Sequence, residues 1–279
     1  MVTGRPGRKP SLVFEPQYDL VYGSAIFKHS KPLVEKFIKQ WPMAIIGGTG
    51  TPFVHTVEDI ISEEHKGYSY SGYGVDHSIG FTQRGCRLGC KFCVVPSKEG
   101  KNRHAATIAD IWRGDPFPRK LLLLDNDFFG GPAWRTRIKE IREGNFRVCL
   151  NQGINARLIN TEAAEALASI EYRDTKFREK RLYVAWDNLR DEGIFFRGVD
   201  ILEAAGIPPK HLMSYMLIGF DVHETWETIF HRFNRMVESG IKPYPMVFDK
   251  SRKDLCAFQR WAVTGLYRAV PWNEYRGKK

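Results

Sequence analysis

The sequence predicts an α/β protein, because short apolar runs of strand length recur along it with helically spaced segments between them. A second observation adds direction to this class: most of these runs end in polar residues, as strands do when one edge of a parallel sheet carries the chemistry. The third is composition. With 43% hydrophobic and 27% charged residues in a chain of 279, there is material for a sizeable core, and wholesale disorder and fibrous architectures are excluded.

Taken in order, the first strands expected are 20–22 and 43–46. They flank an amphipathic helix with Pro32 in its first turn and Leu33, Val34, Phe37 and Ile38 on one face. Gly47-Gly48-Thr49-Gly50 follows the second strand and reads as a tight turn, since it lacks both the dinucleotide fingerprint and the Walker lysine. A strand is expected at 78–81. The clean apolar run 121–124 ends in Asp125, Asn126 and Asp127, and 147–150 ends in Asn151, Gln152 and Gly153. Thr161 is expected to cap an alanine-rich helix reaching about residue 171. A strand over 181–186 ends in Asp187 and Asn188, and one over 214–218 in Gly219, Phe220 and Asp221. Trp226, Ile229, Phe230, Phe233, Met236 and Val237 then recur at helical spacing, with Gly240 as the stop. The last strand, 244–248, precedes a helix over 255–266 with Phe258, Trp261 and Ala262 on one side.

No stretch approaches the roughly 20 apolar residues of a membrane-spanning helix. Arg5, Arg8 and Lys9 have no apolar core behind them, so no secretory signal is expected and the protein is placed in the cytoplasm. Forty-two Lys and Arg against 32 Asp and Glu give a net charge of +10. Residues 1–77 hold eight of each sign, so the excess belongs to 78–279. It gathers at Lys98, Lys101, Arg103 and His104, at Arg135, Arg137, Lys139 and Arg142, at Arg173, Lys176, Arg178, Lys180 and Arg181, and at Arg276, Lys278 and Lys279. Two readings stand side by side: solvated faces, or a surface for a phosphate-bearing partner.

Five cysteines, an odd number, argue against a disulfide framework. Cys86, Cys90 and Cys93 fall on one loop whose Gly85 and Gly89 let the backbone fold around a common centre. Soft sulfur ligands select zinc, copper(I) or an iron–sulfur cluster. A structural zinc site wants a fourth protein ligand at recurrent spacing, and Cys149 and Cys256 stand alone. A cubane cluster on three cysteines keeps one iron open to an outside ligand. A zinc knuckle is the competing reading.

Cys-x-x-x-Cys-x-x-Cys with Phe92 just before the last cysteine, following the strand-like 78–81, resembles the signature of the radical S-adenosylmethionine superfamily. The flanking Phe81-Thr82-Gln83-Arg84-Gly85 and Val94-Val95-Pro96 are similar to the branch containing methylthiotransferases and cobalamin-associated radical enzymes. The resemblance implies a partial (βα)6 radical SAM barrel over 78–250, a small N-terminal Rossmann-like α/β segment over 1–77, and a C-terminal helix and basic tail over 251–279. It implies a [4Fe–4S] cluster on Cys86, Cys90 and Cys93, whose free iron chelates S-adenosyl-L-methionine, and an electron donor such as a flavodoxin or ferredoxin. No cobalamin is expected, because the Asp-x-His-x-x-Gly lower-ligand motif is missing.

By the same resemblance, Phe92 lies near the adenine, and Asp125, Asn126 and Asp127 take the place of the motif that meets the methionine amino group, though they depart from its glycine-rich pattern. Gln152, Asn155 and Arg157 follow the third barrel strand, with Arg157 as a fork for the methionine carboxylate. Asp187 and Asn188 suit ribose hydroxyls, and Ile218 with Gly219 a backbone edge for adenine. Cys256 is a candidate hydrogen donor or adduct carrier. A carboxylate or amide after a strand is also the usual helix N-cap, and Cys149, in an apolar strand, reads as core. The best reading of the substrate is a nucleic-acid base or nucleotide, from the charge excess and from Trp134, Tyr172, Phe177, Trp261 and Tyr267 as bases' stacking partners. The alternatives are a radical enzyme acting on a peptide or small metabolite, and a non-catalytic metal-bearing nucleic-acid binding module.

Overall fold

A computed structural model describes residues 18–275 apart from 54, 57–58, 61–69 and 71. Arg5, Arg8 and Lys9, and the terminal Arg276, Lys278 and Lys279, lie outside the described residues. The chain divides into two units, Met1–Val75 and Asp76–Lys279.

In the first unit, β1 (Tyr22–Ser24) and β2 (Ile45–Gly47) pair in parallel. Parallel neighbours need a crossover, and α1 (Lys31–Gln40) supplies it with Pro32 in its first turn. Val34, Phe37 and Ile38 are half-buried and Leu33 is exposed, so the helix covers only part of its expected apolar face. The glycine turn is set by close backbone approach: a Cβ on Gly47 would sit 2.0 Å from the His55 carbonyl oxygen, and Gly48 has φ +99°.

The second unit begins with β3 (Ser78–Gly80), then the antiparallel pair β4 (Gln83–Arg84) and β5 (Arg103–His104). Between β4 and β5 lie the three cysteines and a single helical turn, α2 (Val95–Lys98). Then come α3 (Ile108–Ile111), β6 (Lys120–Leu123), α4 (Trp134–Glu143), β7 (Arg147–Leu150), α5 (Thr161–Ala168) and β8 (Glu171–Tyr172). The remainder is β9 (Leu182–Ala185), α6 (Glu192–Ala204), β10 (Leu212–Ile218), α7 (Trp226–Glu238), β11 (Lys242–Val247) and α8 (Lys253–Val263).

Two parallel sheets result, β3-β6-β7-β8 and β9-β10-β11. A bond from Ile154 N to the Tyr183 carbonyl, 2.7 Å, links the segment after β7 to β9. Strand alternation sorts the side chains. Leu121, Leu123, Val148, Leu150, Val184, Met216 and Ile218 join the main core with Ile141 of α4, Leu167 of α5, Phe195 of α6 and Phe233 of α7. Leu122, Cys149, Tyr183, Met213 and Tyr215 form a second, smaller cluster with Phe177.

Several expected boundaries shift. Asn160, not Thr161, caps α5, its side chain accepting from Ala163 N at 2.9 Å, because the cap residue must hold the extended backbone that Asn160 has. That helix ends at Ala168, and Glu171 lies in β8, drawn from helix to strand by pairing with Arg147. The helix expected over 255–266 is α8, ended before Gly265 at φ +79°. Leu255, Phe258, Trp261 and Ala262 belong to the main core, so 251–263 is part of the same unit as the sheets. Among the described residues no helix is long and apolar enough to cross a membrane.

Candidate functional site

Glycine and charge shape the cysteine loop. Gly85 has φ +80°, and a Cβ there would meet the Lys101 carbonyl oxygen at 2.2 Å, so the loop closes on itself only with glycine at this point. Cys86 N donates to the Gly100 carbonyl at 3.2 Å and Cys93 N to the Cys90 carbonyl at 2.9 Å. One carboxylate oxygen, Glu99 Oε2, accepts from Arg84 Nε at 3.1 Å, Gly85 N at 3.0 Å and Asn126 Nδ2 at 3.1 Å. Asp127 takes a bidentate grip on Arg87, with Nε at 2.9 Å and Nη2 at 3.2 Å, and also accepts from Asn102 Nδ2 at 3.2 Å. Glu99 and Asp127 thus tie the loop to the C-terminal end of β6.

The ends of the other strands meet the same loop. Asp125, 4% exposed, accepts from Thr82 Oγ1 at 2.9 Å and Gln83 N at 2.6 Å through Oδ1, while Oδ2 is buried with no partner. Burial pushes its carboxyl up to about 7. After β7, Asn155 Oδ1 accepts from Arg157 N and Nε, both at 3.2 Å, and Arg157 Nη1 reaches Asp191 at 2.9 Å. Arg157 also faces Cys90. Burial disfavours its charge, but Asp191 and Cys90 outweigh that and raise its pKa. Gln152 is exposed and bonds only weakly to Asn151, at 3.5 Å. Phe92 packs edge-on against Phe220, which follows β10, at 5.6 Å, and Phe220 against Phe248 at 4.9 Å.

Asp187, after β9, accepts from Leu217 N at 2.9 Å. Burial raises its pKa against the opposing pull of Arg232 and Arg157. Arg232 of α7, 1% exposed, reaches through the core to donate to the carbonyls of Trp186 and Leu217, both at 3.0 Å, and pairs with Glu224. Glu224 in turn accepts from Gly219 N at 2.8 Å. The Ile218 carbonyl accepts from Phe248 N at 3.0 Å, so the backbone edge expected at Ile218 and Gly219 is taken up within the fold. The Asn188 carbonyl accepts from Trp186 Nε1 at 2.7 Å, and its amide sits 3.5 Å from Asp191, so Asn188 braces the turn. Cys256 lies on α8 with Sγ 3.6 Å from the Lys250 carbonyl and packs on the main core.

Cys86 senses both other thiols, and Cys93 senses Cys90. Burial pushes the Cys86 thiol up, with further upward pressure from Asp127, Cys93 and Cys90. Burial does the same for Cys93, helped by Cys90, Asp187 and Glu99. Among the described residues no three His, Cys, Asp or Glu side chains stand in a metal-ligating arrangement, so the thiols are gathered but not set as a cage. Their chemistry still suits a soft cationic centre: thiolates that repel one another beside three carboxylates are relieved by a metal, at the cost of releasing protons. Four side-chain atoms of residues tied into this region are buried with no partner: Gln83 Nε2, Asn102 Oδ1, Asp125 Oδ2 and Asn155 Nδ2. Asp125 Oδ2 is a buried acceptor and Asn155 Nδ2 a buried donor, the complementary pair that the amino and carboxylate groups of an amino acid satisfy.

Sequence reasoning missed Glu99 and Arg232, which act across long sequence separations, and Glu224, which meets Gly219 and Arg232 five and eight residues away with no motif to mark it; Thr82, Gln83 and Arg87 stood in the cysteine-loop region without assigned roles. Three expected base-stacking aromatics are corrected: Tyr172, Phe177 and Trp261 are buried among apolar neighbours and have no free face. Three of the four α4 cations have acidic partners, as the solvated-face reading allows. Arg137 is buried against the Ala106 carbonyl and Glu140, Arg135 pairs with Glu162, and Lys139 with Glu143. No family model and no curated protein matches the chain.

Proposed function

We propose that the chain is a radical S-adenosylmethionine enzyme whose substrate is a nucleic-acid base or nucleotide. The observation that carries the reading is that Cys86, Cys90 and Cys93 sit on one loop over the polar C-terminal ends of β6, β7 and β9. The succession of parallel strands β3, β6, β7, β9, β10 and β11, with the link from Ile154 to Tyr183 between the two sheets, supports a partial six-stranded βα barrel as the frame.

The three cysteines are the residues that hold a [4Fe–4S] cluster, and the chemistry such a cluster supplies when bound is one-electron reductive cleavage of S-adenosylmethionine, which leads to hydrogen-atom removal from a substrate. Arg157 and Asn155 would orient its methionine carboxylate, Asp125 would accept from its amino group, and Asp187 would serve its ribose hydroxyls. Phe92, Phe220 and Phe248 form an apolar wall beside the loop. Exposed cations support a phosphate-bearing substrate. The burial of Tyr172, Phe177 and Trp261 favours the second reading, a peptide or small metabolite.

The test is anaerobic reconstitution with iron and sulfide, followed by assay of 5′-deoxyadenosine with and without nucleic acid. About four irons per chain are expected, and replacing any one of Cys86, Cys90 or Cys93 by Ala removes most of them, because a three-thiolate cluster has no spare ligand. Stoichiometric zinc with no iron sinks the reading.

A further inference from the structure

Residues 173–181, between β8 and β9, sit at the opposite end of the strands from the cysteines. Arg173 N donates to the Val148 carbonyl at 2.7 Å, early in β7, and Arg181 Nη1 to the Lys210 carbonyl at 3.1 Å, just before β10. Phe177 is buried there, tilted against His77, which precedes β3, at 5.3 Å. The loop is held rigidly. Asp174 Oδ1 accepts from Arg178 N at 2.7 Å and Glu179 N at 3.2 Å, while Phe177 N bonds the Asp174 carbonyl at 2.9 Å. Phe177 also has φ +56°, a left-handed conformation that is strained for a non-glycine residue and persists only when the surroundings over-determine it.

That rigidity presents cations. Arg173 pairs with Glu171 and Arg181 with Glu179, but Lys176, Arg178, Lys180 and Lys210 point into solvent, and among the described residues none has an acidic partner. His211 registers the crowding: burial, then Lys180, Lys210 and Arg181, lower its pKa.

We propose that residues 173–181 with Lys210 form a docking surface for the phosphate backbone of a nucleic-acid polymer, an inference that rests on the nucleic-acid reading above. Length decides between ligands. From Arg181 to Asp187, beside the cysteine loop, six residues of extended chain span about 20 Å. A mononucleotide does not reach both ends, whereas a strand with a charge every ~3.4 Å covers that distance with about six phosphates. An acidic electron-donor protein must instead sit near the cysteines, a strand's length away. Fixing the loop's backbone in advance lowers the ordering cost of binding an extended polyanion.

The experiment measures fluorescence anisotropy of a labelled single-stranded RNA of about 20 nucleotides, and of duplex DNA, from about 50 to 200 mM salt. The proteins are the full chain, a variant with Lys176→Ala, Arg178→Ala, Lys180→Ala and Lys210→Ala, and a charge-preserving variant with Lys and Arg exchanged at those positions. The alanine variant is expected to lose about 2–3 from the log–log salt slope on single strands, near 0.7 per phosphate neutralised, and the exchanged variant to restore it. Its thermal midpoint and iron content should match those of the unmodified chain. Unchanged affinity and slope in the alanine variant overturn the proposal. So does displacement of the RNA by polyglutamate as efficient as by unlabelled RNA, which makes the loop a dock for an acidic protein. If the unmodified chain takes up no iron while the slope still falls, the radical reading fails and the docking surface stands.

Discussion

At the C-terminal ends of β6, β7 and β9 charged groups are drawn inward, and at the N-terminal ends they are pushed out. Asp125, Asp127 and Asp187 are shielded behind the cysteine loop, each held by donors whose own positions are fixed. At the other end Phe177 goes inward while Lys176, Arg178 and Lys180 go to solvent. Buried charge has high stakes, because an unpaired carboxylate or guanidinium in a low-dielectric interior costs far more than a solvated one. The first end is therefore built to hold a defined geometry, and the second to offer positive potential at little structural cost.

The largest effect expected from breaking this contrast is at Arg232. Arg232→Met fits the volume but leaves Glu224 buried without its partner and frees the Trp186 and Leu217 carbonyls, so stability should fall by about 3–5 kcal/mol in equilibrium urea unfolding. Adding Glu224→Leu should recover part of the loss, since neither charge is then stranded. A loss below about 1 kcal/mol in the single variant contradicts the description of this end as a buried, committed network.

The sequence revealed much of the frame and little of this network. Runs such as 121–124 and 147–150 announce strands because a parallel strand buried on both faces needs continuous apolar residues. The three cysteines announce a centre because their spacing is local. By contrast, Glu99 meets Asn126 across 27 residues and Arg232 meets the Trp186 carbonyl across 46, and nothing in local periodicity encodes either contact. Tyr172 and Phe177 were legible as aromatic, but their burial depends on which strands the loop closes over. β8 escaped notice because two residues carry no periodic pattern, and tertiary pairing decides their state.

A second effect, read as a pH dependence rather than as a single loss, is expected at Asp125. Its folded pKa, about 7, lies above the ordinary carboxylate value near 3.9, so between those values the folded chain keeps a proton that the unfolded chain releases. Stability contributed by this group is therefore fully present below about pH 4 and is lost as pH rises to about 7, with a slope of up to ~1.4 kcal/mol per pH unit. Asp125→Asn retains the Oδ1 acceptor for Thr82 and Gln83 and removes the ionisation, so the difference in stability between the two proteins should change across that window and level off above it. A flat difference curve means that the carboxyl is solvated when folded and that this end does not draw its charge inward.

The smallest effect sharpens the comparison most directly, because it repeats the first substitution at the other end. Arg178→Met removes a guanidinium that stands in solvent and keeps the backbone N–H that bonds Asp174 Oδ1 at 2.7 Å, so the loop's internal closure is untouched. Surface changes of this kind stay within about 0.5 kcal/mol, and relief of repulsion among Lys176, Lys180 and Arg181 pushes the sign toward stabilisation at low salt. The expected result is an unfolding midpoint near that of the unmodified chain, rising slightly as salt is lowered, against the large loss for Arg232→Met. A loss above about 1 kcal/mol makes the Arg178 side chain part of the loop's architecture, and the contrast between an end that buries charge and an end that displays it then fails at an exposed member.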